Sequence, residues 1–230
     1  MACDILILSA HPDDGDFGMG GTLLKLAKQY AVAHVILTRG EAGTFGTPAE
    51  REQEAKTAGA HAGCTIEFLG FKDNHVEDTV ENAKILAAVI RRYHPRILFA
   101  PYHTNDSTHT DGRAHPDHLA LGRLAVKAAR FAKFKNAEVA GDAHTVETIV
   151  HYMVPLYTRP SFVVDVSDVI PELQELWQRY ASQLGIADGK LVEHLLLFRK
   201  AAGVLNGVAY AEPFIVDRPL KVDEEILLKI

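Results

Sequence analysis

Two four-residue segments concentrate side chains that can do chemistry: His11-Pro12-Asp13-Asp14 and His115-Pro116-Asp117-His118. Two adjacent carboxylates resist joint ionisation unless a cation offsets their repulsion. His11 and Asp14 are three positions apart, so a tight turn can aim both at one point while Asp13 leans over the same ion without ligating it. His115 and His118 are also three apart, at a predicted helix start, and can face one way. One histidine, one aspartate and a distant histidine make a three-ligand site with a position left for water, the form of catalytic rather than structural zinc sites. Such an ion lowers the pKa of bound water and polarises a carbonyl. A lone His-x-x-Asp is ordinarily a capped turn. The second His-Pro-Asp-His at another strand end is what points to a metal.

The elements that must position these residues alternate along the chain. Short apolar or β-branched runs predict strands at Ile5–Leu8, Val32–Thr38, Thr65–Leu69 and Arg96–Ala100. Helical spacing predicts helices at Gly18–Tyr30, Thr79–Tyr93 and Pro116–Phe131. Between them, Thr47-Pro48-Ala49-Glu50 carries a capping box with proline at the first helical position, and Gly63 closes that helix. Strands alternating with helices imply βαβ units and an α/β, Rossmann-like, mostly parallel sheet with helices on both faces. After Lys133 the rhythm changes. Val146–Met153, Ser161–Val166 and a short Tyr210–Val216 read as strands, Val169–Leu184 and Lys190–Leu205 as helices. No repeat or linker interrupts the chain, so 1–230 reads as one domain.

Ligands bind outside the carboxyl ends of the strands in such sheets. Polar clusters fall there after each of the first four strands: His11–Asp14, Thr38–Glu41, Phe71–Asn74, and Tyr102–Asp106 followed by His115–His118. His103 and His109 precede the second motif and could stand at the lip of a pocket. His34, His61, His75, His94, His144, His151 and His194 read as packing or surface residues. Arg51, at a helix start facing the strand ends, and Asp73, in a turn, are ambiguous by themselves. Gly18-Met19-Gly20-Gly21-Thr22 invites a nucleotide-binding reading, but position 23 is Leu where the dinucleotide fingerprint needs Gly, and His11–Phe17 separates the turn from its strand. Close packing of the first helix is the better account.

Composition mostly excludes. Twelve of 230 residues are histidine, against two cysteines, with a net charge of −6. A pI near 6.0 offers no basic footprint for nucleic acid. The apolar runs are too short to span a bilayer, no leader pattern precedes the first strand, and the cysteines are not spaced as a disulfide framework or Cys-based zinc site. A cytoplasmic protein is expected.

Ala10-His11-Pro12-Asp13-Asp14, the following Gly18-Met19-Gly20-Gly21-Thr22-Leu23 and the later His115-Pro116-Asp117-His118 resemble the PIG-L/LmbE-like family of zinc-dependent N-acetylglucosamine deacetylases. Val89–Tyr102, Tyr152–Val166 and Tyr210–Phe214 look like its bacterial branch that deacetylates N-acetylglucosaminyl-malate for bacillithiol biosynthesis. The resemblance implies metal ligands at His11, Asp14 and His118, a general base at Asp13, and an oxyanion-stabilising histidine at His115 oriented by Asp117. It also implies sugar contacts at Arg51 and Asp73, and homo-oligomers up to hexamers. The family commonly has Glu where Asp16 stands, and Thr104–Ala114 is longer than in bacillithiol relatives. The donor set suits Zn2+ and also Fe2+.

The chemistry expected is metal-assisted amide hydrolysis of a small amino-sugar substrate. Asp13 takes a proton from the attacking water and passes it to the leaving amine, and protonated His115 shares the oxyanion. An amidase acting on another amide, such as a thiol conjugate, and a nucleotide-binding module stay open.

Overall fold

The computed structural model describes residues 2–104, 114–186 and 189–221. His109 and most of the Thr104–Ala114 loop lie outside them. The first four strands are β1 (Ile5–Ser9), β2 (Val32–Ile36), β3 (Thr65–Phe68) and β4 (Ile97–Pro101). They alternate with α1 (Asp14–Ala27), α2 (Pro48–Ala62), α3 (Val80–Tyr93) and α4 (Pro116–Lys133). Then come β5 (Thr148–Tyr152), β6 (Phe162–Asp165), α5 (Ile170–Trp177), α6 (Leu191–Leu205) and β7 (Ala211–Val216). The seven strands form one sheet in the order β3-β2-β1-β4-β5-β7-β6. The first five pair in parallel, while β7 runs antiparallel to both β5 and β6.

Successive strand residues point to opposite faces, and this divides the core. Leu6, Leu8, Val35 and Leu98 pack under α3 and α4. Ile5, Ile7, Ile36 and Phe99 pack under α1, α2 and α5 on the other side. Both faces are covered, so β1 is buried at every position. The strand order reverses between β1 and β4, which opens a crevice between their carboxyl ends. Both histidine motifs follow these two strands.

The capping box is formed as expected: Thr47 Oγ1 accepts from Glu50 N–H, Glu50 accepts from Thr47 N–H, and Gly63 adopts the left-handed cap. Two helices differ from expectation. α1 begins at Asp14 rather than Gly18, because the His-Pro-Asp-Asp turn closes directly into helix through Phe17 N–H to Asp13 O at 2.8 Å. A non-helical Met19 (φ −145°) marks the change of direction. The single helix expected over Val169–Leu184 is instead a 3-10 turn at Ser167–Val169, α5, and a second 3-10 turn at Ala181–Gln183. Tighter bonds after Trp177, such as Tyr180 N–H to Trp177 O at 3.0 Å, go with both Trp177 and Tyr180 turning into the core. Among the described residues no helix is long and apolar enough to cross a membrane.

The glycines of α1 are packing residues. A Cβ on Gly18 would sit 2.6 Å from the Tyr152 ring, on Gly20 2.7 Å from Leu173, and on Gly21 2.8 Å from Val166. The turn lies against protein, which leaves no room for a nucleotide phosphate.

Candidate metal centre

β1 delivers His11, Asp13 and Asp14 to the crevice, and α4 delivers His115 and His118 from its first turn. Asp14 is tied down by its own loop, its Oδ2 accepting from His11 N–H at 2.8 Å. Its Oδ1 lies 2.9 Å from His118 Nε2 and 3.5 Å from His11 Nδ1, and those two nitrogens are 3.1 Å apart. His11 Nε2 faces Asp73 Oδ1 at 3.0 Å. A carboxylate can only accept there, so Nε2 carries a ring proton and Nδ1 is the nitrogen that would give its lone pair to an ion. Three electron-pair donors thus crowd one point. Zinc ligands at 2.0–2.2 Å in a tetrahedral arrangement stand about 3.3–3.6 Å apart, so the three atoms, already 2.9–3.5 Å from one another, would need to spread only slightly around an ion. The Asp73 carboxylate behind His11 is the usual outer partner of a metal-bound imidazole.

The charges respond to this crowding. Burial would raise the Asp14 pKa, but His118 and His11 hold it well below the usual carboxylate range. Burial opposes charge on His11 too, yet Asp14, Asp73 and Asp13 raise its pKa to about 9. Asp13 behaves differently. It is buried, and burial lifts its pKa, with Asp14 adding to the lift and Arg51 opposing it. Its Oδ1 meets the Arg51 guanidinium at 3.2 Å. Arg51 is itself buried and also donates to Gly40 O at 2.9 Å. Gly40 has φ +66°, and a side chain there would strike the guanidinium.

His115 caps α4. Its Nδ1 accepts from Asp117 N–H at 3.2 Å, which leaves the proton on Nε2. Burial first, then His11 and His118, lower its pKa. The described contact from Asp117 to His115 is therefore this backbone amide. The Asp117 carboxylate accepts from Asn74 N–H at 2.9 Å and Val76 N–H at 3.3 Å, and lies 3.6 Å from His11 Nε2. The eight residues singled out by sequence, His11, Asp13, Asp14, Arg51, Asp73, His115, Asp117 and His118, thus share one neighbourhood. All but Asp117 line a cleft of about 240 Å³, joined by Ala42, Gly43 and Asn74.

Sequence reasoning missed Glu41. Its Oε1 accepts from Asp73 N–H at 2.8 Å, while Ala42 N–H donates to Asp73 Oδ2 at 2.9 Å. Glu41 follows β2, where the loop position alone gave a signal. Of the remaining histidines, His34 is buried against Ser9 Oγ at 2.7 Å, and His94 is the left-handed cap of α3.

A Rossmann-like sheet with a two-histidine, one-aspartate donor set at its switch point and an acid–base pair beside it defines a candidate metallohydrolase. Residues 6–129 match the PIG-L family, described as GlcNAc-PI de-N-acetylase, and the chain belongs to that family. It is 30% identical to the diacetylchitobiose deacetylase of Thermococcus kodakarensis over 83% of this chain and 79% of that protein. It is 28% identical to a probable N-acetyl-alpha-D-glucosaminyl L-malate deacetylase 2 of Bacillus cereus over 79% and 80%. The conserved protein TT1542 from Thermus thermophilus superposes with a TM-score of 0.86 at 36% identity, covering 96% of this chain and 98% of that one.

Proposed function

We propose that the protein removes the acetyl group from an N-acetylglucosamine-containing small molecule, giving acetate and the free amine. The observation that carries this is the convergence of His11 Nδ1, Asp14 Oδ1 and His118 Nε2 beside a buried, unligated Asp13. His11, Asp14 and His118 would hold Zn2+, with Fe2+ the alternative for the same donors. When bound, the ion polarises the acetamide carbonyl and acidifies a water.

The chain's own groups supply the rest. Asp13, made more basic by burial, takes the proton of the attacking water and delivers it to the leaving nitrogen. Arg51 keeps Asp13 ionised enough to act as the base and holds its carboxylate in place. His115 donates Nε2–H to the oxyanion; its neutral tautomer suffices, so the imidazolium expected from the sequence is not needed. Asp73 and Asp117 brace His11 and the β3 loop, and Arg51, Asp73 and Asn74 line the wall that a sugar would meet.

The malate conjugate, as in bacillithiol biosynthesis, is the substrate proposed first, diacetylchitobiose the next. A cytoplasmic homo-oligomer, up to a hexamer, is proposed with it and is checked by light scattering on purified protein. The test of function is acetate release from N-acetylglucosamine, its malate and inositol conjugates and diacetylchitobiose, by wild type and Asp13→Asn. The variant should lose about 10²–10⁴-fold in kcat while keeping its metal. Near-normal turnover by Asp13→Asn would overturn the mechanism, and no acetate release from any of these sugars would favour the amidase reading.

A further inference from the structure

We propose a second divalent-metal site, formed by His103, His151 and Asp217 and sharing no residue with the candidate centre. His103 follows β4, His151 lies within β5, and Asp217 directly follows β7. One ligand atom from each comes within 4.8 Å of the others. Asp217 Oδ1 is 3.5 Å from His151 Nε2 and 3.8 Å from His103 Nε2, and the two imidazole rings meet edge to face with centroids 4.7 Å apart.

The state of His151 is what makes this a site. The side chain is fully buried. Its Nδ1 lies 3.1 Å from the Pro101 carbonyl. A carbonyl only accepts, so Nδ1 donates and Nε2 carries a lone pair. That Nε2 is buried without a hydrogen-bond partner among the described residues. An orphaned buried acceptor costs on the order of 1–3 kcal/mol, and here it faces a carboxylate, a second acceptor. Protonating Nε2 would resolve the conflict, but burial disfavours the imidazolium. A cation resolves it without a proton. A ring nitrogen anchored to a backbone carbonyl with the other left bare is the arrangement of a metal-binding histidine. Asp217 is partly exposed, which gives an ion a route in.

Two imidazoles and one carboxylate suit borderline ions such as Zn2+, Co2+ or Ni2+ over Mg2+ or Ca2+. An ion there would join the ends of β4 and β5 to the end of the antiparallel β7.

The test uses Zn2+ alone, with metal content read after dialysis. Wild type should hold two equivalents per chain, His118→Ala one, Asp217→Asn one and His103→Ala one. The His118→Ala/Asp217→Asn double variant should hold none. Both altered positions of the second site are partly exposed, so folding is not at stake as it would be at His151. Zinc should also raise the Tm of His118→Ala, and that rise should vanish in the double variant. Unchanged zinc content in both Asp217→Asn and His103→Ala, or a Tm rise that persists in the His118→Ala/Asp217→Asn double variant, would overturn the proposal. Failure of the deacetylase reading would show instead in acetate release and would leave these measurements untouched.

Discussion

The parallel part of the molecule, β1–β4 with α1–α4, and the C-terminal part, α5, α6, β6 and β7, use their polar residues in opposite ways. In the first, His11, Asp13, Asp14, His115 and His118 point into one cleft. In the second, polar groups are spent on holding α1. Glu212 accepts from Gly21 N–H at 3.0 Å and Thr22 N–H at 2.7 Å, and its charge is balanced by Arg199 at 2.7 Å. Arg199 also donates to Phe17 O, Trp177 Nε1 donates to Asp16 O, and Tyr180 OH donates to Pro12 O and to Asp16. Substitutions at the cleft residues of the first part should therefore remove chemistry and largely spare the fold, while those at the residues of the second that hold α1 should do the reverse. The family match over residues 6–129 covers the first part alone.

The largest effect that can break this contrast is at His115. His115→Ala should cost about 10²–10³-fold in kcat, the usual loss for one oxyanion donor, with unchanged metal content and only the roughly 1 kcal/mol of stability that goes with the α4 cap. A large loss of stability would erase the distinction. Next is Arg199→Met, which strands Glu212 in the interior. Breaking a buried pair from one side costs about 3–5 kcal/mol, read as a lower urea midpoint in a single transition if the chain is one domain. Folded enzyme should keep its kcat.

His34 tests the border between the parts, since it lies in β2 under the site. Burial lowers its pKa from 6.5 to about 4, so it is neutral in the folded protein. The unfolded chain takes up that proton near pH 6.5. Stability from this group is thus full above pH 6.5 and declines as the pH falls through about 4, by about 3 kcal/mol at completion. His34→Gln keeps a partner for Ser9 without titrating, so its urea midpoint should fall less than that of wild type between pH 7 and pH 4.5. The smallest effect is Thr47→Ala, which removes the cap of the helix carrying Arg51. About 1 kcal/mol of stability should be lost, with little change in kcat.

The same division governs how much could be read from sequence. β1–β4 and α2 were legible because local periodicity and capping residues dictate them. The convergence of His11, Asp14 and His118 was legible because both motifs follow strands that flank a switch point. The start of α1 was not, since Asp14, Gly15 and Asp16 carry no apolar period and their helix is closed by tertiary bonds. Nor was the break after Trp177, which follows from Trp177 and Tyr180 reaching Asp16 on a distant helix. The position of β7 between β5 and β6 depends on long-range pairing that no local pattern encodes. His151 looked like a packing histidine because its partner Asp217 lies 66 positions later in the chain.

The bare glycine face of α1 has a mechanical consequence. Asp14 is the first residue of that helix, and Gly18, Gly20 and Gly21 seat it directly on Tyr152, Leu173 and Val166. One added methyl at Gly18 acts as a shim under the turn that carries Asp14, a proposed metal ligand, and one at Gly20 or Gly21 as a shim under the segment beyond the Met19 kink. The tolerance of the cleft is therefore machined on the far side of the helix, at residues that do not line it.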